Sequence, residues 1–296
     1  MQVVPLSEML GAELVDFDVT RPQTEEDQAE LRRLFCEHHL LLVRGQEITE
    51  EDQNRFVGAF GPIHVSQATG TLAAYVTNGE DRLVGVGTTE LLWHNDGTYG
   101  EHPGIGTSLW AQDLELGAVP TMFTSAVHVL EHLPEELRAR IEPLHALHMK
   151  DTAVERTNQR WRAVEMEPDS APDRYVTYVH PIVYQPPHLD EQTILVNELQ
   201  TSHIVELPDD VGEELLQELF ARLYASEVVY RHEWQPNDLI IWDNLALQHC
   251  RPTEMGTLRR HLRRQSLDGW YSDDGVLEWH DTVVYDAKIV AEAVDS

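Results

Sequence analysis

Residues 228–252, VVYRHEWQPNDLIIWDNLALQHCRP, govern how the rest of the chain is read. Two β-like runs, VVYRHEW (228–234) and LIIWDN (239–244), flank Gln235-Pro236-Asn237-Asp238, a strong turn signal. The pair reads as a β-hairpin. Asp243 and Asn244 form a second turn-prone pair, and His249 follows five residues after Asn244.

Further β-like runs lie upstream: GTSLWAQ (106–112), TMFTSAV (121–127) and TILVNEL (193–199). Residues 3–19 read as strands with a turn, and LLLVRG (40–45) as a buried strand. Helices are expected at TEEDQAELRRLFCEHH (24–39), where Leu31, Leu34 and Phe35 fall at helical spacing, and at EEDQNRFVGAF, opened by a Thr49/Asp52 capping box and ended by Gly61-Pro62. Two more are expected to begin near Pro134 and near Asp210. No alternating strand–helix rhythm appears, which disfavours a parallel doubly wound sheet. The fold class expected is mostly β with helices: a double-stranded β-helix, or jelly roll, decorated by α-helices. Residues 1–296 read as a single domain, with loops over a site near 64–90 and 151–175.

A hydrophobic fraction of 42% supports a packed core, and no run of about 18 apolar residues exists to cross a bilayer. The start, MQVVPLSEML, lacks the basic flank and apolar stretch of a secretory signal, and Cys36 and Cys250 make no disulfide framework. A cytoplasmic, reduced protein is expected. The net charge of −31 disfavours nucleic acid and anionic membranes as partners. Lys occurs only at Lys150 and Lys288. Codon bias with a solvated acidic surface explains this most simply; a high-salt habitat is the sharper alternative.

Against that background, LLWHNDGTYG (91–100) and TLRRHLRRQSL (257–267) carry the chemistry. On a strand, positions i and i+2 share a face, so His94 and Asp96 can reach one point while Trp93 and Asn95 face away. A second His-x-Asp at His188 and Asp190 sits in a Pro-flanked loop with no strand to align it. With His249 as third donor, two His and one carboxylate leave part of a metal's coordination open, the arrangement of non-haem Fe(II) oxygenases. In the basic cluster, alternation puts Arg260, Leu262 and Arg264 on one face and Arg259, His261 and Arg263 on the other. Inward guanidiniums suit a dicarboxylate cosubstrate, held through paired hydrogen bonds. Arg259 and Arg263 read as surface partners of acidic side chains, and His128, His132, His145 and His148 as structural residues on or near helices; Asp243 and Asn244 read as turn residues, with support of the ligand side chains as the lesser alternative.

WHND, WQPNDLIIWDNLALQH and LRRHLRR resemble the TauD/TfdA group of Fe(II)/2-oxoglutarate-dependent dioxygenases. The likeness starts at LGAELVDFDVTRP and runs through LLLVRGQEIT and FGPIHVS to the Arg cluster. It implies that His94, Asp96 and His249 bind Fe(II), and that Arg260 and Thr121 hold the far carboxylate of 2-oxoglutarate. It also implies that Arg264 either faces an acidic group of the substrate or balances charge beside the iron. The reaction implied uses O2 and couples decarboxylation of 2-oxoglutarate to succinate and CO2 with C–H oxidation, most simply hydroxylation. Asp96 argues against halogenation, because related halogenases carry a small residue there.

Taurine itself is disfavoured. Ser66, Glu90 and Gln200 stand where the taurine enzymes carry a sulfonate-binding His, an Asn and an aromatic residue. These three are read as substrate-binding positions for a small anionic or zwitterionic molecule, such as an amino acid or a tailoring intermediate. Two alternatives remain: a taurine or alkylsulfonate dioxygenase proper, and a jelly-roll protein that binds metal and ligand without turnover. A homo-oligomer is expected from the resemblance.

Overall fold

The computed structural model describes residues 1–65, 70–78, 90–149, 177–253, 256–272 and 275–278. Its centre is two facing antiparallel layers. The larger has seven strands in the order β1-β2-β3-β14-β6-β16-β4: Gln2–Pro5, Ala12–Val15, Leu40–Val43, Leu239–Asp243, Gly106–Leu114, Arg260–Leu267 and Ala74–Thr77. Among the described residues only the β2–β3 pairing is parallel. The smaller has four strands in the order β13-β7-β15-β5: Val229–His232, Thr121–Ser125, Leu247–Arg251 and Leu91–His94.

Strand alternation builds two cores on the larger sheet. Leu40, Leu42, Ile240, Trp242, Leu109 and Leu262 meet Phe123 and Leu247 of the smaller sheet. Leu41, Val43, Leu239, Ile241 and Trp110 face the other way, beneath helices α1 (Glu25–His38) and α2 (Glu50–Val57). Both helices open with capping boxes, Thr49 with Asp52 as the sequence signals and Thr24 with Asp27 besides. Leu31, Leu34 and Phe35 form the buried face of α1. A third core joins α3 (Ala126–Glu131), α4 (Glu135–Ile141) and α5 (Asp209–Leu223) to β8 (His145–Met149), β11 (Thr193–Ile194) and β12 (Thr201–Ile204). No helix among the described residues is long and apolar enough to cross a membrane.

The 228–244 segment is not a hairpin. β13 pairs with β7 in the smaller sheet, while β14 pairs with β3 and β6 in the larger, so the turn carries the chain across the sandwich. The polarity of the two runs accounts for this. LIIWD is buried at every position, as a central strand must be, whereas VVYRH is half-exposed and sits at an edge. The turn itself is firmly tied: Asp238 Oδ2 accepts from Gln235 N at 2.9 Å and from Arg44 at 2.8 Å.

Other expectations change locally. TMFTSAV stays extended only to Ser125, whose hydroxyl accepts from His128 N and starts α3. TILVNEL gives just the two-residue β11. His145 and His148 lie on strand β8, beside the helical core and not on a helix. The 64–90 stretch contains β4, paired to β16; its residues 66–69 and 79–89, and all of 151–175, lie outside the described residues.

Candidate metal centre and cosubstrate site

β15 lies between β7 and β5, and the register sets His249 directly opposite His94 on one side and Phe123 on the other. The two imidazole centroids are 4.1 Å apart. His94 Nδ1 is 2.8 Å from the Leu92 carbonyl, which can only accept, so the proton sits on Nδ1 and Nε2 keeps its lone pair. That nitrogen is 3.7 Å from Asp96 Oδ1. One donor atom from each of His94, Asp96 and His249 lies within 4.8 Å of the others.

The sequence places Asp96 on a strand with His94, but β5 ends at His94 and Asp96 opens the following turn. Its position is fixed instead by Asn244. The Asn244 side chain accepts from Asp96 N at 2.7 Å and donates to the Asp96 carbonyl at 2.9 Å and to that of Gly104 at 2.7 Å. Gly97, at φ +80, allows the sharp bend that follows. Trp93 and Asn95 do face away, as alternation requires: Trp93 stacks on Tyr224, and Asn95 donates to the carbonyls of Asn244 and Leu247.

Asp96 Oδ2 accepts from Thr107 Oγ1 at 3.0 Å and Arg264 Nη2 at 2.8 Å, which leaves Oδ1 on the His94 side. Burial alone would raise the carboxyl pKa. The Arg264 guanidinium, then His249 and His94, override it and hold Asp96 below the usual carboxylate range. Burial pushes His249 well below the ordinary His value and lowers His94 as well, so both rings are neutral near pH 7. His249 Nδ1 is buried without a hydrogen-bond partner among the described residues. Two neutral imidazoles and one ionised carboxylate oxygen suit Fe(II), with other coordination positions left open.

Arg260 opens β16 and is 2% exposed. Its Nε donates to the Val119 carbonyl at 3.1 Å and its Nη2 to Thr121 Oγ1 at 3.0 Å. Trp234 Nε1 donates to the same Thr121 oxygen at 3.1 Å. Both lone pairs of that hydroxyl are therefore taken, and its proton is left to give. Arg260 Nη1 is buried with no acceptor among the described residues. Burial, then the charge of Arg251, pushes Arg260 down to about 9. Arg251, itself 4% exposed, shares the His249 face of β15 by alternation. An unengaged guanidinium nitrogen, a free hydroxyl proton and a second buried guanidinium together fit a carboxylate. Sequence reasoning misses Arg251, which only the strand period after His249 could have signalled.

On the opposite face of β16, Arg259 pairs with Asp113 and Glu115 at the surface. Arg263 is instead buried. It donates to Gln53 and to the Thr49 carbonyl at the start of α2, and lies 4.5 Å from the Trp110 ring centroid. The larger sheet is covered on that face by helices, so an outward guanidinium finds packing and carbonyls, not water. Nor are Asp243 and Asn244 only turn residues. Asp243 Oδ1 accepts from Leu245 N and Ala246 N, and Oδ2 lies 2.6 Å from His188 Nε2, both side chains being fully buried. The second His-x-Asp copy thus locks the turn that carries Asn244.

Of the residues read as substrate contacts, Gln200 is buried and accepts through Oε1 from Thr98 N and Thr98 Oγ1, steadying the loop after Asp96. Glu90 is an exposed residue just before β5; burial and then the charges of Glu198 and Glu90 raise the Cys250 thiol. Ser66 lies outside the described residues.

Residues 2–265 match the family described as taurine catabolism dioxygenase TauD, TfdA family, and the chain belongs to that family of dioxygenases. Pentalenolactone F synthase of Streptomyces avermitilis is 28% identical over 294 residues, covering 92% of this chain and 94% of that protein. The α-ketoglutarate-dependent 2,4-dichlorophenoxyacetate dioxygenase of Cupriavidus pinatubonensis is 26% identical, covering 88% and 95%. A crystal structure of a taurine dioxygenase from Burkholderia xenovorans superposes with a TM-score of 0.76 at 24% identity, over 98% of each chain, and establishes the jelly-roll fold. A jelly-roll carrier without turnover finds no support among these relatives.

Proposed function

We propose that this chain is an Fe(II)- and 2-oxoglutarate-dependent dioxygenase that oxidises an unactivated C–H bond of a small anionic or zwitterionic molecule, most simply by hydroxylation. His94 Nε2, Asp96 Oδ1 and His249 hold the iron, and Arg260 with Thr121 takes the far carboxylate of 2-oxoglutarate. The observation that carries the reading is Arg260: a guanidinium 2% exposed, with Nη1 left without an acceptor beside a hydroxyl that still has a proton to donate. An unpaired buried charge is costly, and a dicarboxylate removes that cost.

When bound, the iron and 2-oxoglutarate supply oxygen activation, with succinate and CO2 as coproducts. The chain's own part is positioning. Arg264 and Thr107 engage Asp96 Oδ2, so the carboxylate offers one oxygen and stays ionised. The apolar inter-sheet core, with Phe123 and Trp242 packed near His249, excludes water on that side. The relatives named as acting on dichlorophenoxyacetate, and a family named for taurine, share acidic substrates, which supports an anionic group. Arg264 either meets that group or serves only to balance Asp96. Ser66, Glu90 and Gln200 remain our proposed contacts for the rest of the molecule, and a homo-oligomer in the cytoplasm is the proposed state.

The test is succinate formation by the Fe(II)-loaded protein under O2, against a panel of carboxylates, sulfonates and amino acids. Substrate-stimulated succinate is expected with carboxylates or amino acids. Turnover confined to achiral sulfonates would contradict the substrate class, and absence of 2-oxoglutarate consumption under all conditions would contradict the reaction.

A further inference from the structure

The segment HVLEH, residues 128–132, closes α3 on the side of the molecule served by the helical core. Ala126, Val127, Val129 and Leu130 bury that helix, whereas His128 is half-buried and Glu131 and His132 are exposed. Positions i, i+3 and i+4 of a helix share one face. One donor atom from each of His128, Glu131 and His132 indeed lies within 4.8 Å of the others, and the two imidazole centroids are 4.1 Å apart.

The ring nitrogens are set for coordination. His132 Nδ1 lies 2.8 Å from the His128 carbonyl, which can only accept, so Nδ1 carries the proton and Nε2 keeps its lone pair. A backbone carbonyl that fixes the tautomer in this way is the usual support of a metal-binding imidazole.

The local field also favours a cation. Ser125 caps the N-terminus of α3, so the negative end of the helix lies at His132. Glu131 adds a carboxylate, and the sequence has no Lys or Arg between Arg82 and Arg138. We infer that His128, Glu131 and His132 form a second metal site, at the surface and separate from the His94/Asp96/His249 centre, that takes a borderline divalent ion of the Zn(II), Ni(II) or Cu(II) kind. Two imidazoles select such ions over Mg(II) or Ca(II), which prefer all-oxygen shells, and water completes the coordination. The ion ties the last turn of α3 to its C-cap, and α3 continues directly from β7, the strand that carries Thr121. The site does not depend on the oxygenase reading.

The probe is Cu(II) added to the metal-free full chain, with bound copper counted after dialysis and its nitrogen ligands read by electron paramagnetic resonance. His132→Ala and His128→Ala are each expected to bind one Cu(II) per chain fewer than the wild type. In a His249→Ala background the remaining copper should show two nitrogen donors, reduced to one or lost when His132→Ala is added. Wild-type stoichiometry retained in both His128→Ala and His132→Ala, with circular dichroism unchanged, would overturn the site. So would copper in the His249→Ala protein whose nitrogen pattern ignores His132.

Discussion

Asp96 and Arg260 sit within the same jelly roll, and the fold provides for them in opposite ways. Around Asp96 the chain is complete. Its backbone N–H and carbonyl are both engaged by Asn244, and Oδ2 is taken by Thr107 and Arg264. Around Arg260 the chain is short of one partner. Nε and Nη2 are satisfied, Nη1 is not, and Arg251, whose charge acts on it, has the same sign. The first arrangement fits a site preorganised for its metal, and the second one that awaits an anion.

Breaking the link behind Asn244 should have the largest effect. His188→Ala leaves Asp243 charged, buried and without its partner, which costs about 3–5 kcal/mol when one member of a buried pair is removed. Chemical denaturation of the metal-free protein should register that loss; a stability change below about 1 kcal/mol would show that the pair is not a structural lock. Arg260→Ala comes next. It should weaken 2-oxoglutarate binding by about 2–3 kcal/mol, the worth of charged hydrogen bonds, while Mn(II) affinity measured calorimetrically stays near the wild-type value. Equal losses of metal and cosubstrate affinity would erase the distinction between the two sides.

Asn244→Ala should do the reverse. Metal affinity should drop about tenfold, as is usual when an outer support of a ligand is removed, with 2-oxoglutarate binding at saturating metal little changed. The smallest effect is a pH slope. His148 on β8 is fully buried, and burial followed by His180 holds its pKa well below the ordinary value. Below about pH 6.5 the unfolded chain takes up a proton that the folded ring refuses, so stability falls with falling pH, by about 1.4 kcal/mol per unit for each such histidine. Denaturation midpoints at pH 7 and 5.5 should differ less in His148→Gln than in wild type.

The two sides were also unequally legible in the sequence. That Arg260 and Arg264 share a face could be read from the strand period, because alternation is a local rule that the sheet obeys, while the role of Arg260 came from the family resemblance. The helix start at Thr49 was legible for the same reason, since a capping box is complete within four residues. Asn244 reads first as a turn residue, with support of the ligands as the lesser alternative. Its side chain reaches a backbone 148 positions away, and no local pattern announces that. The hairpin reading of 228–244 failed because turn chemistry fixes a reversal of the chain, not the sheet the next strand joins. The unbroken apolar run LIIW was the available clue to a central strand. Arg263 was misjudged because the helices covering the outer face of the larger sheet are invisible to a strand-period argument.

The measurement that bears most directly on the central claim is an anaerobic absorption titration of the metal-free protein with Fe(II) and then 2-oxoglutarate. A visible charge-transfer band is expected on adding 2-oxoglutarate, absent in His249→Ala, and in Arg260→Ala needing far more cosubstrate to appear. No band in the wild-type protein, or a band in Arg260→Ala that saturates at the wild-type concentration, would contradict the account.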